Sequence, residues 1–155
     1  DMLLNENHII TYNMITDYWK DTGTPEDIIH ANKTILENLT ADFRGKKEST
    51  VAMKGNVSVG NHTLIKNGVK INGPVIIGSN CEIYGNTVIG PNTSIGNGCI
   101  ISGGKIKDSI IMDDCEIGKN VNIKNSIISS NSSIKQNDIQ DEQIFLLGEG
   151  TKILF

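Results

Sequence analysis

Asp21 stands in Trp19-Lys20-Asp21-Thr22-Gly23-Thr24-Pro25-Glu26-Asp27, and this segment holds the clearest chemical content of the 155-residue chain. A carboxylate in a turn just ahead of a helix can sit at the edge of a cleft, where its hard oxygens suit a cation such as Mg²⁺. One carboxylate does not make a metal site, so its partner ligands would have to come from outside this chain. Asp21 also has a plainer role open to it, hydrogen-bonding the turn beside the helix start. His62, in Val59-Gly60-Asn61-His62-Thr63-Leu64, is the histidine of the repeat region and the candidate general base for acyl transfer. No second feature converges on it, and the alternative is an exposed polar corner residue. His8 and His30 read as surface residues. Cys81, Cys99 and Cys115 lack metal-ligand spacing and read as small core residues with free thiols. A Cys81 to Cys99 disulfide is disfavoured, because parallel neighbours rarely offer the geometry.

These residues are positioned by two kinds of element. Thr24 is the expected N-cap of a helix, Pro25 takes its first position, and Glu26 and Asp27 favour the positive end of its dipole. Ile28, Ile29, Ala31, Ile35, Leu36 and Leu39 follow near helical spacing, so one face packs inward. Upstream, His8-Ile9-Ile10-Thr11-Tyr12 and Ile15-Thr16-Asp17-Tyr18-Trp19 predict β structure. Residues 40–50, with the basic cluster Arg44-Gly45-Lys46-Lys47, predict a solvated linker.

From there a six-residue period takes over: Met53, Val59, Ile65, Ile71, Ile77, Ile83, Ile89, Ile95 and Ile101. Short strands at this spacing wind into a parallel β-helix. Each hexad carries Gly, Asn, Ser or Pro at its polar places, as in Ser79-Asn80 and Gly85-Asn86, and these tolerate the positive φ of a sharp corner. The fifth place (Val57, Thr63, Val69, Val75, Cys81, Thr87, Thr93, Cys99) faces inward with the first. Three hexads make one coil, and coils stack about 4.8 Å apart. Subtraction then predicts three columns: Val59, Ile77 and Ile95; Ile65, Ile83 and Ile101; Met53, Ile71 and Ile89. Ile101 to Ile111 is a hexad plus four, which predicts an outward loop at 105–109. Ile111, Ile117 and Ile123 resume the period, and Ile128 and Ile134 follow a one-residue deletion, for about five coils in all. The apolar tail, Ile144-Phe145-Leu146-Leu147 and Ile153-Leu154-Phe155, is expected to cap the open end.

Composition narrows the function classes. A net charge of −4 and a pI near 5.3 argue against a nucleic-acid surface, and no apolar run approaches membrane-spanning length. Aromatics are only 5%, which suits a solenoid filled by stacked Ile and Val better than a core of large rings. The absence of a secretory signal and the odd cysteine count predict a cytoplasmic protein. The chain starts without Met and in mid-pattern, as a piece of something longer would.

The segment running from Trp19 through Asp27 to Ile28-Ile29 and Ala31-Asn32 resembles the W-x-D-T-G-x-P-E-D-L-L-x-A-N signature that closes the catalytic domain of sugar-1-phosphate nucleotidylyltransferases. The segments Gly73-Pro74-Val75-Ile76-Ile77-Gly78 and Ile89-Gly90-Pro91-Asn92-Thr93-Ser94-Ile95-Gly96 are similar to the hexad region of the long-form glucose-1-phosphate thymidylyltransferases. So are Asp108-Ser109-Ile110-Ile111, Asn125-Ser126-Ile127-Ile128 and Leu146-Leu147-Gly148-Glu149. The resemblance implies an all-β, left-handed β-helix at 46–155, preceded by a strand–turn–helix remnant of an α/β nucleotidyltransferase domain at 1–45. It implies that a sugar-1-phosphate, with glucose-1-phosphate the expected one, attacks the α-phosphorus of dTTP or UTP and releases pyrophosphate with Mg²⁺ as cofactor. Asp21 matches the family's metal-holding aspartate, whose partner carboxylate lies outside this chain. Trp19, Thr22 and Gly23 match as turn geometry, with Trp19 packing the turn. The family's glycine-rich nucleotide loop has no counterpart here; Ser102-Gly103-Gly104-Lys105 reads as a β-helix corner. This chain alone is therefore expected to be inactive and carries no complete catalytic set.

Two further functions remain open. The array could serve as an assembly or regulatory module, forming a homodimer or trimer through its flat faces. It could also be a hexapeptide acyltransferase that uses His62 and an acyl-coenzyme A.

Overall fold

The computed structural model describes residues 11, 13–16, 19–135 and 141–154. Within them the hexads wind as a parallel β-helix of about six turns, with three sheets as its faces. Two sheets have seven strands each and the third has five. The predicted columns are the observed registers. Val59, Ile77 and Ile95 pair in the first sheet; Ile65, Ile83 and Ile101 in the second; Met53, Ile71 and Ile89 in the third. β-branched side chains suit this pleated stacking. The isoleucines of these columns are 0–2% exposed.

The fifth-place residues turn inward at the corners, where polar ones bond to backbone. Thr63 Oγ1 donates to the Gly78 carbonyl at 2.6 Å, and Ser126 N donates to Ser109 Oγ at 3.1 Å. The cysteines follow the same rule. Cys81, Cys99 and Cys115 are buried and free, and each Sγ–H points to a carbonyl of the next coil, Gly96, Met112 and Ser129. The flanking Cys115 and Cys81 thiols, together with burial, push the Cys99 thiol up. A nucleophilic thiolate is therefore disfavoured at Cys99.

The 105–109 region differs from expectation. Gly104–Lys107 is a strand of the third sheet, with Ile106 stacked between Ile89 and Ile123 and fully buried. The ten residues from Ile101 to Ile111 divide as five plus five, so this region is part of the wall. Two tight corners make this possible. Gly104 has φ +89°. Asp108 turns with φ 49°, where the coil before spends one more residue on Gly90-Pro91-Asn92. Asn125, φ 46°, repeats the short corner one coil later and accounts for the deletion between Ile123 and Ile128. A Cβ on Gly104 would lie 2.1 Å from the Val121 carbonyl oxygen. Gly104→Ala should therefore cost about 3 kcal/mol in chemical denaturation, from backbone strain and overpacking together.

The β-helix is also longer than the five coils expected. Asp42–Phe43 and Lys46–Lys47, inside the supposed linker, pair with Val57–Val59 and Leu64–Ile65. Leu146–Leu147 and Lys152–Leu154 extend the first and second sheets at the other end, so most of the tail is wall, with Phe145 buried beneath it. The first predicted β piece lies outside the described residues except Thr11, which is not in a strand. Of the second, Ile15, Thr16 and Trp19 are described and none is in a strand. Before the winding comes helix α1 (Pro25–Glu37), which buries Ile29 and Leu36.

Candidate functional site

The site under test is the turn carrying Asp21 and the helix that follows. Thr24 caps α1 as expected: its backbone is extended, and its Oγ1 accepts from Asp27 N at 3.2 Å. Thr24 Oγ1 also donates to Asp27 Oδ2 at 2.7 Å, and Lys20 Nζ lies 2.8 Å from Asp27 Oδ1. The Lys20 ammonium and the Thr24 hydroxyl hold the Asp27 carboxyl below its ordinary range. The turn is thus tied by Thr24, Lys20 and Asp27. Asp21 is exposed and takes no hydrogen bond among the described residues. Its Oδ1 lies 3.8 Å from where a Cβ on Gly23 would stand. Trp19, expected to pack the turn, is 69% exposed.

A hard, exposed carboxylate suits Mg²⁺ as one ligand of a shared site. Among the described residues no group of three or more His, Cys, Asp or Glu gathers to complete such a site. Ligands beyond these residues would have to complete it.

His62 stands apart from this turn in sequence and is exposed. Its φ of 61° belongs to a corner ladder in which Asn80, Asp114 and Asn131 adopt the same left-handed turn. It makes no hydrogen bond or ion pair among the described residues. His30 is exposed on α1 and lines a cavity of about 330 Å³ with Ile29, Lys33, Asn125, Ile144 and Leu146. His8 lies outside the described residues.

Sequence reasoning missed the contact that seats the helix. Asn32 Oδ1 accepts from Ser94 Oγ at 2.6 Å, and Asn32 Nδ2 donates to the Asn92 carbonyl at 3.4 Å. Lys33 Nζ lies 3.0 Å from Asp108 Oδ1, which also accepts from Asn92 Nδ2 at 2.9 Å. Burial raises the Asp108 carboxyl, but the Asn92 amide and the Lys33 ammonium outweigh it, and the net direction is down from 3.8. A depressed carboxylate contributes stability above its unfolded pKa, and that contribution fades as pH falls through the folded value. Acidification below about pH 4 should therefore loosen α1 before the β-helix melts. Amide exchange of α1 against pH checks this, and Asp108→Asn should reduce the pH dependence to the part that Asp27 contributes at the helix start.

Residues 71–154, more than half of the chain, match the family described as GMPPB C-terminal domain. The chain belongs to that family. The match covers the β-helix from the third column to the tail and leaves α1 outside it. Among curated relatives, the glucose-1-phosphate thymidylyltransferase of Streptomyces antibioticus is 33% identical over 104 residues, 67% of this chain and 29% of its own length. The low-salt glycan biosynthesis nucleotidyltransferase Agl11 of Haloferax volcanii is 33% identical over 57 residues, 37% of this chain and 16% of the relative. The bifunctional protein GlmU of Methanocaldococcus jannaschii is 42% identical over 45 residues, 29% of this chain and 11% of the relative. The chain thus spans less than a third of each of these proteins.

Proposed function

We propose that this chain is the C-terminal part of a sugar-1-phosphate nucleotidyltransferase that makes a nucleotide-sugar, with dTTP and glucose-1-phosphate as the expected pair and UTP as the alternative nucleotide. The observation that carries this reading is the adjacency of the Asp21 turn, tied by Thr24, Lys20 and Asp27, to a β-helix of the matched family. The names of the thymidylyltransferase and Agl11 relatives support it. In this reading the β-helix is left-handed and the protein is cytoplasmic. Among the described residues no helix is long and apolar enough to cross a membrane.

The chemistry is phosphoryl transfer, which depends on positioning and charge neutralisation. Asp21 would hold Mg²⁺ together with a carboxylate from outside this chain. The metal, when bound, neutralises charge building on the triphosphate as a sugar-phosphate oxygen attacks the α-phosphorus and pyrophosphate leaves. Lys20, drawn to Asp27, and Thr24 keep the turn in shape. Pyrophosphate release by the intact protein, scanned across nucleoside triphosphates and sugar-1-phosphates, tests the proposal. Turnover with dTTP and glucose-1-phosphate supports the finer assignment; no turnover with any pair refutes the reading.

A second reading has its own observation. The outer face of the first sheet leaves Ile76 38% exposed and, at its margin, Met112 40% exposed, both lining an open concavity of about 500 Å³ with Ser94 and Ile110. Such a face suits self-association, so the β-helix would also assemble the protein. Sedimentation of this chain at high concentration checks it, and a clean monomer would count against assembly.

A further inference from the structure

The outward column of the first sheet runs through Ile76, Ser94, Ile110 and Ile127, with Ser94 directly between Ile76 and Ile110. That serine is the polar member of an otherwise apolar stretch, and its hydroxyl is spent on Asn32 at 2.6 Å. One residue along the helix, Lys33 reaches Asp108, at the left-handed corner one coil beyond Asn92. Asn92 joins both halves of the contact. Its carbonyl accepts from Asn32 and its amide donates to Asp108.

Burial of Ile29 and Leu36 is non-directional and by itself would let the helix slide or roll. The Asn32 amide permits one register only. We infer that Asn32, Ser94 and the Lys33 to Asp108 pair form a lock that sets the placement of α1, and through it the placement of the Asp21 carboxylate. Asn32 and Ser94 are then positioning residues for nucleotidyl transfer, and the β-helix becomes part of the support of the active site. This inference rests on the metal role proposed for Asp21. The lever is long enough to matter. Thr24 lies about 12 Å along the helix axis from Asn32, so a tilt of about 10° would move the helix start by about 2 Å. Displacements of even 1 Å at a reacting centre cost on the order of 100-fold in rate.

Intrinsic helix preference makes the test discriminating. Alanine favours helix more than asparagine does, so Asn32→Ala would strengthen an unlocked helix. If the lock exists, amide exchange across α1 should instead rise about tenfold in Asn32→Ala, with the strand amides unchanged. In the intact protein, Asn32→Ala and Ser94→Ala should each raise the half-saturating Mg²⁺ concentration several-fold and lower kcat about tenfold. The double variant should be no worse than Asn32→Ala alone, because the Ser94 bond is already lost there, while Ser94→Ala alone keeps the Asn32 bond to the Asn92 carbonyl. Lys33→Asp should show a smaller defect that Asp108→Lys repairs in part, since the swap restores the ion pair but not the Asn92 bond at that left-handed corner. Unchanged helix exchange in Asn32→Ala overturns the lock. Faster exchange with unaltered Mg²⁺ dependence and kcat overturns its positioning role. Asp21→Ala separates the inference from its premise: unchanged turnover there refutes the metal reading, and the lock is then judged by helix exchange and the charge swap.

Discussion

In the intact enzyme, Asp21→Ala should lower Mg²⁺-dependent turnover by roughly 10²–10³-fold, the scale on which losing one preorganised electrostatic group acts. Thermal unfolding should barely move. Asp21 is exposed and takes no hydrogen bond from the described residues, so its removal leaves no buried partner unpaired. The capping interactions that hold the helix start belong to Thr24 and Asp27 and survive the substitution. Steady-state turnover measured against Mg²⁺ concentration is the check. Asp21→Glu, which keeps the charge but moves it by one methylene, should recover part of the rate at raised Mg²⁺. Turnover unchanged in Asp21→Ala would refute the metal role. An equal loss of rate and folding would assign Asp21 to structure instead.

How far the site could be read from sequence follows from what each residue does. Asp21, Thr24 and Pro25 act through local geometry, and local geometry is written in consecutive residues. Asn32 acts across 62 residues on Ser94, a contact that only the winding of the β-helix creates. The Ala31-Asn32 pair was visible as part of a signature, but nothing in the helix pattern says which surface the amide meets. Trp19 shows the opposite failure, since an aromatic beside a turn suggested packing that the described residues do not supply.

The fold was more readable because a solenoid repeats one decision many times. Each inward Ile or Val has a neighbour above and below, so the six-residue period names the columns directly. The reading failed where the repeat length changed. Asp42–Phe43 and Lys46–Lys47 were hidden by charge, because at the end of the array few inward positions demand an apolar residue. The basic cluster there is partly held by the wall itself, with Lys47 Nζ 5.9 Å from the Phe43 ring centroid and Arg44 paired with Asp42. At 101–111 the sum of ten residues is the same for six plus four as for five plus five. The two glycines at 103 and 104, and Asp108 at a position where Asn is left-handed in the neighbouring coils, were the signals that distinguish them.

That ambiguity yields an expected effect on stability as large as that of Gly104→Ala. Ile106→Ala should destabilise this chain by about 3 kcal/mol, within the usual range for truncating a buried isoleucine. Ile106 is fully buried and stacks on Ile89 and Ile123, so the deleted atoms leave a void between two coils that the stiff winding closes poorly. An outward loop residue would change stability by no more than about 0.5 kcal/mol. Chemical denaturation therefore decides between the two placements. In a solenoid each coil is stabilised chiefly by its neighbours, so the damage should also uncouple the array. Strand amides on both sides of Ile106 should exchange faster than those near Ile65, and the denaturation curve should broaden as the two halves melt separately. A midpoint and a slope both unchanged would put residue 106 outside the wall.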